Sequence, residues 1–236
     1  MPSGTLYLFP VTLGETEVAL VIPPHNIELI NTITSFIVEN AKSARRFLKQ
    51  CNYPDISKAE ISELNEHTKR GDVSSLLKPL LEGKNVGLLS DAGCPGIADP
   101  GAEVVRLAHQ KNIRVIPLVG PSSIVLSIMA SGFNGQNFAF NGYLPIEKPQ
   151  RSKKIKDLEQ LAYKNEQSQF FIETPYRNTA MFEDLLANLK GETLLCLGID
   201  LTTTNQKTIT RSVSDWKKGP KPELNKIPAV FGIYKN

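Results

Sequence analysis

Short apolar runs along the chain alternate with polar stretches in which apolar residues recur at helical spacing, a pattern that predicts strands and helices in turn. Thr5-Leu6-Tyr7-Leu8-Phe9 and Ser35-Phe36-Ile37-Val38 read as strands, and Ala41 to Gln50 as a helix. A further helix from about Val73 to Leu81 leads into the strand Val86-Gly87-Leu88-Leu89. This strand runs into a turn, Ser90-Asp91-Ala92-Gly93-Cys94-Pro95, whose residue types leave backbone groups free to meet a small molecule. Asp99 is then placed to cap a helix with Pro100 at its first position, sending Val104, Val105, Leu107 and Ala108 toward the sheet. Ile113 to Val119 reads as the next strand, and Gly120-Pro121-Ser122-Ser123 as its turn. Ser122 or Ser123 caps a helix of Ile124, Val125, Leu126, Ile128 and Met129 that stops at Gly132.

The second half continues with the strand Phe138-Ala139-Phe140 and a basic, Pro-containing connection carrying Lys148, Arg151, Lys153, Lys154 and Lys156. A helix near Lys154 to Tyr163, a strand Gln169 to Ile172 and a helix through Met181, Leu185, Leu186 and Leu189 follow. Strands at Leu194 to Leu197 and Val230 to Tyr234 complete the reading. The fold class is therefore α/β. In the N-terminal half the alternation predicts a mostly parallel sheet with helices on both faces. The boundary falls near Leu118 to Ser123, without a flexible linker, so two closely packed α/β domains, 1–120 and 121–236, are expected to share a cleft.

Composition narrows the chemistry. With 236 residues, 41% hydrophobic and 22% charged, the chain has the make-up of an ordinary globular protein and can bury one large core or two smaller ones. Its three cysteines, Cys51, Cys94 and Cys196, lie far apart and form neither a disulfide framework nor a zinc pattern, which suggests a reducing, cytoplasmic setting. No apolar stretch is long enough for a membrane span, and no signal-peptide pattern opens the chain, so the mature protein is expected to begin where the sequence does. His25, His67 and His109 are scattered without metal-ligand spacing and read as ordinary residues; no metal is expected. Gly-x-Gly-x-x-Gly and Gly-Lys-Ser/Thr loops are missing, and Gly120-Pro121-Ser122-Ser123 is not a nucleophile elbow. The net charge of +3 is too small to establish a nucleic-acid partner. Two basic clusters, Lys42, Arg45, Arg46 and Lys49 on one helical segment and the Lys148 to Lys156 group, read either as solvated faces or as contacts to an acidic ligand such as RNA.

The order of motifs carries more information. Gly4-Thr5-Leu6-Tyr7-Leu8, then Ser90-Asp91-Ala92-Gly93-x-Pro95-x-x-x-Asp99-Pro100-Gly101, Pro117-x-x-Gly120-Pro121-Ser122-Ser123, Ser131-Gly132 and Glu173-Thr174-Pro175-Tyr176-Arg177 resemble the tetrapyrrole methylase superfamily. Within it the chain is most similar to the bacterial ribosomal RNA small subunit methyltransferase I family, which methylates a cytidine ribose 2′-oxygen. The resemblance runs from about residue 4 to 218. It implies a homodimeric methyltransferase that uses S-adenosylmethionine, held in the cleft between two α/β domains. By that resemblance Pro10, Asp91, Ala92, Gly93, Cys94, Ser122 and Ser123 bind the cofactor from the first domain. Glu173, Thr174, Gly198, Ile199, Pro228 and Ala229 approach it from the second.

The substrate side is the family's Glu-Asp-Thr-Arg, which here reads Glu39-Asn40-Ala41-Lys42, so that Glu39, Asn40, Lys42, Arg45 and Arg46 become the expected contacts to RNA of the small ribosomal subunit. This exchange removes a carboxylate, a hydroxyl and a guanidinium fork while keeping one positive charge. The chain departs from the family twice more, with Pro10-Val11-Thr12-Leu13-Gly14-Glu15 in place of Pro-Thr-Pro-x-Gly-Asn, and with Pro23-Pro24-His25-Asn26 lacking the family's helix wording. Alternatives to the ribosomal acceptor are another RNA, a corrin or porphyrin precursor, or a cofactor-binding paralogue without activity. The sequence names no general base, so the catalytic residue is left open.

Overall fold

Five strands, β1 (Thr5–Phe9), β2 (Ser35–Val38), β3 (Glu60–Glu63), β4 (Val86–Leu89) and β5 (Arg114–Pro117), hydrogen-bond in the order β3-β2-β4-β1-β5, every neighbouring pair parallel. The molecule is described by a computed structural model covering residues 3–64 and 73–236, so His67 lies outside the described residues. The chain divides into two compact units, Met1–Ser122 and Ser123–Asn236. In the first, β2 and β4 are buried throughout, as strands covered on both faces must be. Alternation then sorts their side chains. Phe36, Val38 and Leu89 join Phe9 under α1 (Pro24–Ile30) and α2 (Ala41–Gln50). Ile37, Val86 and Leu88 join Leu6 under α3 (Lys78–Leu81) and α4 (Gly101–Gln110).

Pro23-Pro24-His25-Asn26 leads into α1, where Pro24 occupies a first-turn position at which its missing N–H costs nothing. One expectation in this unit is corrected. The helix expected from Val73 to Leu81 is a 3₁₀ segment, Ser74–Leu77, followed by the short α3. The strand β3 was not foreseen, since Glu-Ile-Ser-Glu has one apolar residue and sits at the sheet edge.

The second unit is a mixed sheet. Strands β6 (Phe138–Tyr143), β7 (Ser168–Ile172), β8 (Leu194–Ile199), β9 (Lys207–Ser212) and β10 (Ala229–Tyr234) follow the order β6-β7-β10-β8-β9. Only β6 and β7 pair in parallel; the rest are antiparallel. Phe171 and Phe231 stack at 5.6 Å and, with Leu195, Leu197 and Ile233, share a core with α6 (Lys148–Asn165), α7 (Asn178–Asn188) and α8 (Val213–Lys218). Trp216 closes this core, its indole N–H donating to the Leu195 carbonyl at 2.9 Å and its ring edge-on to Phe182. Helix α5 (Ser123–Ser131) packs on β8, β9 and β10.

The basic stretch from Lys148 to Lys156 is not a connection. It is the first half of α6, begun by Pro149 in the first turn. Arg151 is largely withdrawn from solvent, with 13% of its side chain exposed, and its guanidinium grips Asp184, itself 9% exposed, at 2.5 Å. It also donates to the carbonyls of Pro145 and Ile146. Arg151 thus belongs to the core architecture, while Lys153 and Lys156 remain exposed. Replacing Arg151 by Met leaves the buried Asp184 carboxylate facing only the exposed Lys148 ammonium at 3.7 Å among the described cations and should cost about 3 kcal/mol in urea unfolding, whereas Lys153→Met should stay within about 0.5 kcal/mol of the parent. Equal stability of the two variants would remove the structural role assigned to Arg151.

Candidate functional site

In a parallel sheet the loops at the carboxyl ends of the strands form the ligand-facing edge. Here the turns after β1, β4 and β5 are drawn together. Val11 N–H donates to the Gly93 carbonyl at 2.9 Å, an isolated antiparallel bridge between the first two. The Cys94 thiol lies 3.4 Å from the Pro121 carbonyl and joins the second to the third. Gly120 completes the set: a Cβ there would overlap the Pro10 ring, so only glycine lets the β5 turn close over the β1 turn. Gly93 is buried with φ +73°, a left-handed conformation that again favours glycine, and a Cβ would stand 3.0 Å from Leu13. Ser90 is buried and its hydroxyl donates to the Gly93 carbonyl at 3.1 Å. With Ser90 and Gly93 held inside, Asp91 and Ala92 stand exposed at the tip.

Asp99 clamps the far end of the β4 turn. Its carboxylate accepts from Gly96 N–H at 2.9 Å and Gly101 N–H at 2.7 Å; the expected N-cap is corrected, since Pro100 and not Asp99 occupies the N-cap position of α4 and the helix begins at Gly101. Glu39 follows β2 and accepts from Asp91 N–H at 3.3 Å. Burial raises its pKa, the Asp91 N–H opposes that, and the nearby Asp91 and Asp99 charges push it further up. The same burial raises Asp99, against the pull of its two backbone donors.

Asn40 is the N-cap of α2, its side-chain oxygen accepting from Lys42 N–H at 2.9 Å and Ser43 N–H at 3.1 Å. Its exchange from the family's aspartate therefore keeps the cap. Ala44, Phe47 and Leu48 bury one side of α2. Lys42, Arg45, Arg46 and Lys49, spaced i, i+3, i+4 and i+7, form an exposed stripe on another, with no ion pair among the described residues.

The expected residues of the second unit divide by role. Glu173 is buried, and one carboxylate oxygen accepts from Thr174 N–H at 2.6 Å and from the Arg177 guanidinium at 2.6 Å. Gly198 lies tight against α5, where a Cβ would overlap the Ser127 hydroxyl. Ile199 and Ala229 are buried partners in the β8–β10 ladder, and Asp200 N–H donates to the Pro228 carbonyl at 2.9 Å. Lys226 N–H donates to the Pro175 carbonyl, which gathers the turns after β7 and β8 and before β10 at one edge. Pro10 is buried with its ring beneath Gly120; Ser122 and Ser123 are half-buried at the start of α5.

Several residues of this region had no sequence signal. Asn26 is buried and its amide donates to the Val119 carbonyl at 2.8 Å, fastening α1 to the β5 turn from 93 positions away. Thr12, Ser43 and Gln50 face one cavity with Arg46 and Asp91. His25 and His109 are exposed, and among the described residues no group of His, Cys, Asp or Glu is disposed to hold a metal. No described helix is long and apolar enough to cross a membrane.

This architecture is the tetrapyrrole methylase fold: the methyltransferase CobJ superimposes with a TM-score of 0.66 at 15% identity, over 100% of this chain and 95% of its own. Sequence relatives narrow the class. The ribosomal RNA small subunit methyltransferase I of Synechocystis is 30% identical over 206 residues, 86% of this chain and 69% of the relative, and that of Haemophilus influenzae 31% over 218 residues, 91% and 73%. The chain belongs to the ribosomal RNA small subunit methyltransferase I family, a family of methyltransferases. No family model matches it.

The cap assigned to Asn40 has a measurable consequence. Asn40→Ala should lower unfolding free energy by about 1 kcal/mol, and Asn40→Asp should restore it. Urea denaturation of the three proteins checks this; an alanine variant as stable as the parent would leave Asn40 without a structural role.

Proposed function

We propose that the protein transfers a methyl group from S-adenosylmethionine to the 2′-oxygen of a cytidine in the RNA of the small ribosomal subunit. The observation that carries this reading is the closed β1, β4 and β5 edge, which presents Asp91 and Ala92 at its tip, beside a helix whose row of four cations pairs with none of the described residues. Family membership supports the same reaction. Corrin and porphyrin substrates are named for solved proteins that share only the fold, cobalt precorrin-4 methyltransferase at 12% identity and uroporphyrin-III-C-methyltransferase at 16%.

The chain's residues fit this methyl donor. Asp91 offers a carboxylate that bonds to no described residue and suits ribose hydroxyls, and the Gly93 and Gly120 backbone leaves no Cβ in the way of a close approach. When bound, S-adenosylmethionine would supply an electrophilic methyl carbon on a sulfonium, and the Asp91 to Cys94 turn would hold and orient it. Positioning supplies most of the acceleration of an in-line displacement at such a carbon. Asp91, Ala92, Gly93, Cys94 and Ser122 of the first unit hold the donor in this proposal. Glu39 orders the β4 turn through the Asp91 N–H and faces the acceptor. A homodimer working in the cytoplasm completes the proposal.

Lys42, Arg45 and Arg46 lie on one helical face and would neutralise phosphates of the acceptor RNA. Changing all three to alanine should flatten the slope of log affinity for small subunits against log salt by about 2 to 3, with affinity for S-adenosylmethionine in calorimetry unchanged. An unchanged slope would withdraw the stripe from the RNA interface. Absence of any methyl transfer from labelled S-adenosylmethionine to small subunits by the parent protein would defeat the proposed reaction itself.

A further inference from the structure

The 32 residues from Val115 to Ile146 contain no Asp, Glu, Lys, Arg or His, in a chain that is 22% charged. The part of this run in the second unit holds α5, the connection after it and β6. Helix α5 is inverted. Six of its nine residues are apolar, yet the two it buries are Ser127 and Ser131. The sheet beneath is the cause: a Cβ at Gly198 would stand 2.4 Å from the Ser127 hydroxyl, and Thr210 donates to the Ser131 carbonyl at 2.8 Å, so only small side chains fit under the helix. Val125 and Met129 lie two residues either side of Ser127, about 200° round the helix, and therefore face away from the sheet. They are 51% and 74% exposed.

The edge of the sheet continues this face. Phe171 turns into the core shared with α6, α7 and α8, so Phe170 points to the opposite side, where Phe133 packs on it at 6.0 Å between ring centroids. Ile172, Val230 and Gly198 are ladder partners, which places α5 on that same side. In the parallel β6–β7 ladder Phe140 stands beside Phe170 and Phe138 beside Ser168, so both β6 phenylalanines point there too. The register then shifts, with Gly142 at φ +61°, and brings Tyr143 rather than Gly142 opposite Ile172. Because α5 packs chiefly on β8, β9 and β10, at the other end of the strand order, Phe138 and Tyr143 stay 44% and 53% exposed on the edge strand.

A face without charge gives a polyanion nothing to bind, and what seats on it must itself be apolar and uncharged. A second copy of the chain carries that surface, since in a two-fold contact a patch meets itself. The area agrees: Val125, Met129, Phe138 and Tyr143 expose on the order of 400 Å² between them, and a standard dimer buries about 800 Å² per partner, somewhat over half of it apolar. Depletion of charge with Met and aromatic residues at the centre is the composition of interface cores. Strand β6 also lacks the charges that ordinarily keep sheet edges apart, and a partner over it removes that hazard. We propose that two copies of the chain meet through the face formed by α5 and β6, the α5 helix of each lying against α5 and the β6 aromatics of the other. The inference rests on the homodimer in the reading above and adds the surface that makes it.

Sedimentation equilibrium on the full chain, over a roughly hundredfold range of concentration, compares the parent with Met129→Lys, Phe138→Lys and Leu81→Lys. Leu81, half-exposed on α3 of the first unit, is the control. The parent is expected at the mass of two chains. Met129→Lys and Phe138→Lys should each raise the Kd of the dimer at least about 100-fold while keeping the parent's far-UV circular dichroism, and Leu81→Lys should stay within about threefold of the parent. Hydrogen exchange on the parent needs no variant, so it carries the test even where a lysine variant fails to fold. Exchange in α5 and β6 should slow as concentration rises through the Kd, with that of α2 unchanged. A dimeric parent whose two lysine variants dimerise as it does, or whose α5 exchange ignores concentration, would overturn this face while leaving the dimer standing. Dissociation of Leu81→Lys to the same degree would overturn it likewise. A parent of single-chain mass at every concentration would leave the face to some other protein and overturn the dimer and its surface together.

Discussion

The first unit depends on a close approach of backbone to ring, Gly120 against Pro10. The turns after β1 and β5 belong to neighbouring strands, but neighbouring strands do not by themselves bring their turns into contact. A side chain at position 120 would wedge them apart. With none there, Pro121 reaches the Cys94 thiol, Val119 accepts from Asn26, and Val11 bridges to Gly93. Three turns become one surface, held by backbone groups and packing. Its rigidity costs little side-chain entropy, because glycine, proline and serine have little to lose.

Charge is handled differently on the two sides of that surface. Glu39, Asp91 and Asp99 crowd one side, and the crowding together with burial keeps the Glu39 carboxyl above its ordinary range. Asp99 is held by backbone N–H groups and Glu39 by one, which is how half-buried carboxylates are tolerated without counter-ions. Across the cavity, α2 presents cations that form no ion pair with any described carboxylate. A negative edge beside a positive stripe suits a cationic methyl donor on one side and a polyanion on the other. The second unit has its own paired charges, Arg151 with Asp184 and Arg177 with Glu173, and these hold helices and turns in place.

Much of this was legible in the chain. The β1, β2 and β4 runs, the Asp99 clamp, the Gly93 and Gly120 turns and the α2 helix follow from apolar patterning and turn chemistry, which are local properties. Misreadings arose where local signals were weak or double-edged. Lys148 to Lys156 looks like a basic connection because Pro149 reads equally as a break or as a helix start, and only the Asp184 carboxylate, 33 positions from Arg151, shows which. The edge strands β3 and β9 carry too few apolar residues to stand out.

What the sequence by itself determined was therefore the kinds of elements, their order and the turn types, because strand alternation, helix capping and left-handed glycines are set within a few residues. Tertiary structure alone decided which polar groups meet. Thr12, Gln50 and Asp91 come from three separate segments and share one cavity; Asn26 finds a carbonyl across the unit; Asn40, at a position the motif order assigns to substrate, spends its side chain on a helix cap. Such pairings depend on the path of the backbone between distant segments, and no local pattern encodes that path.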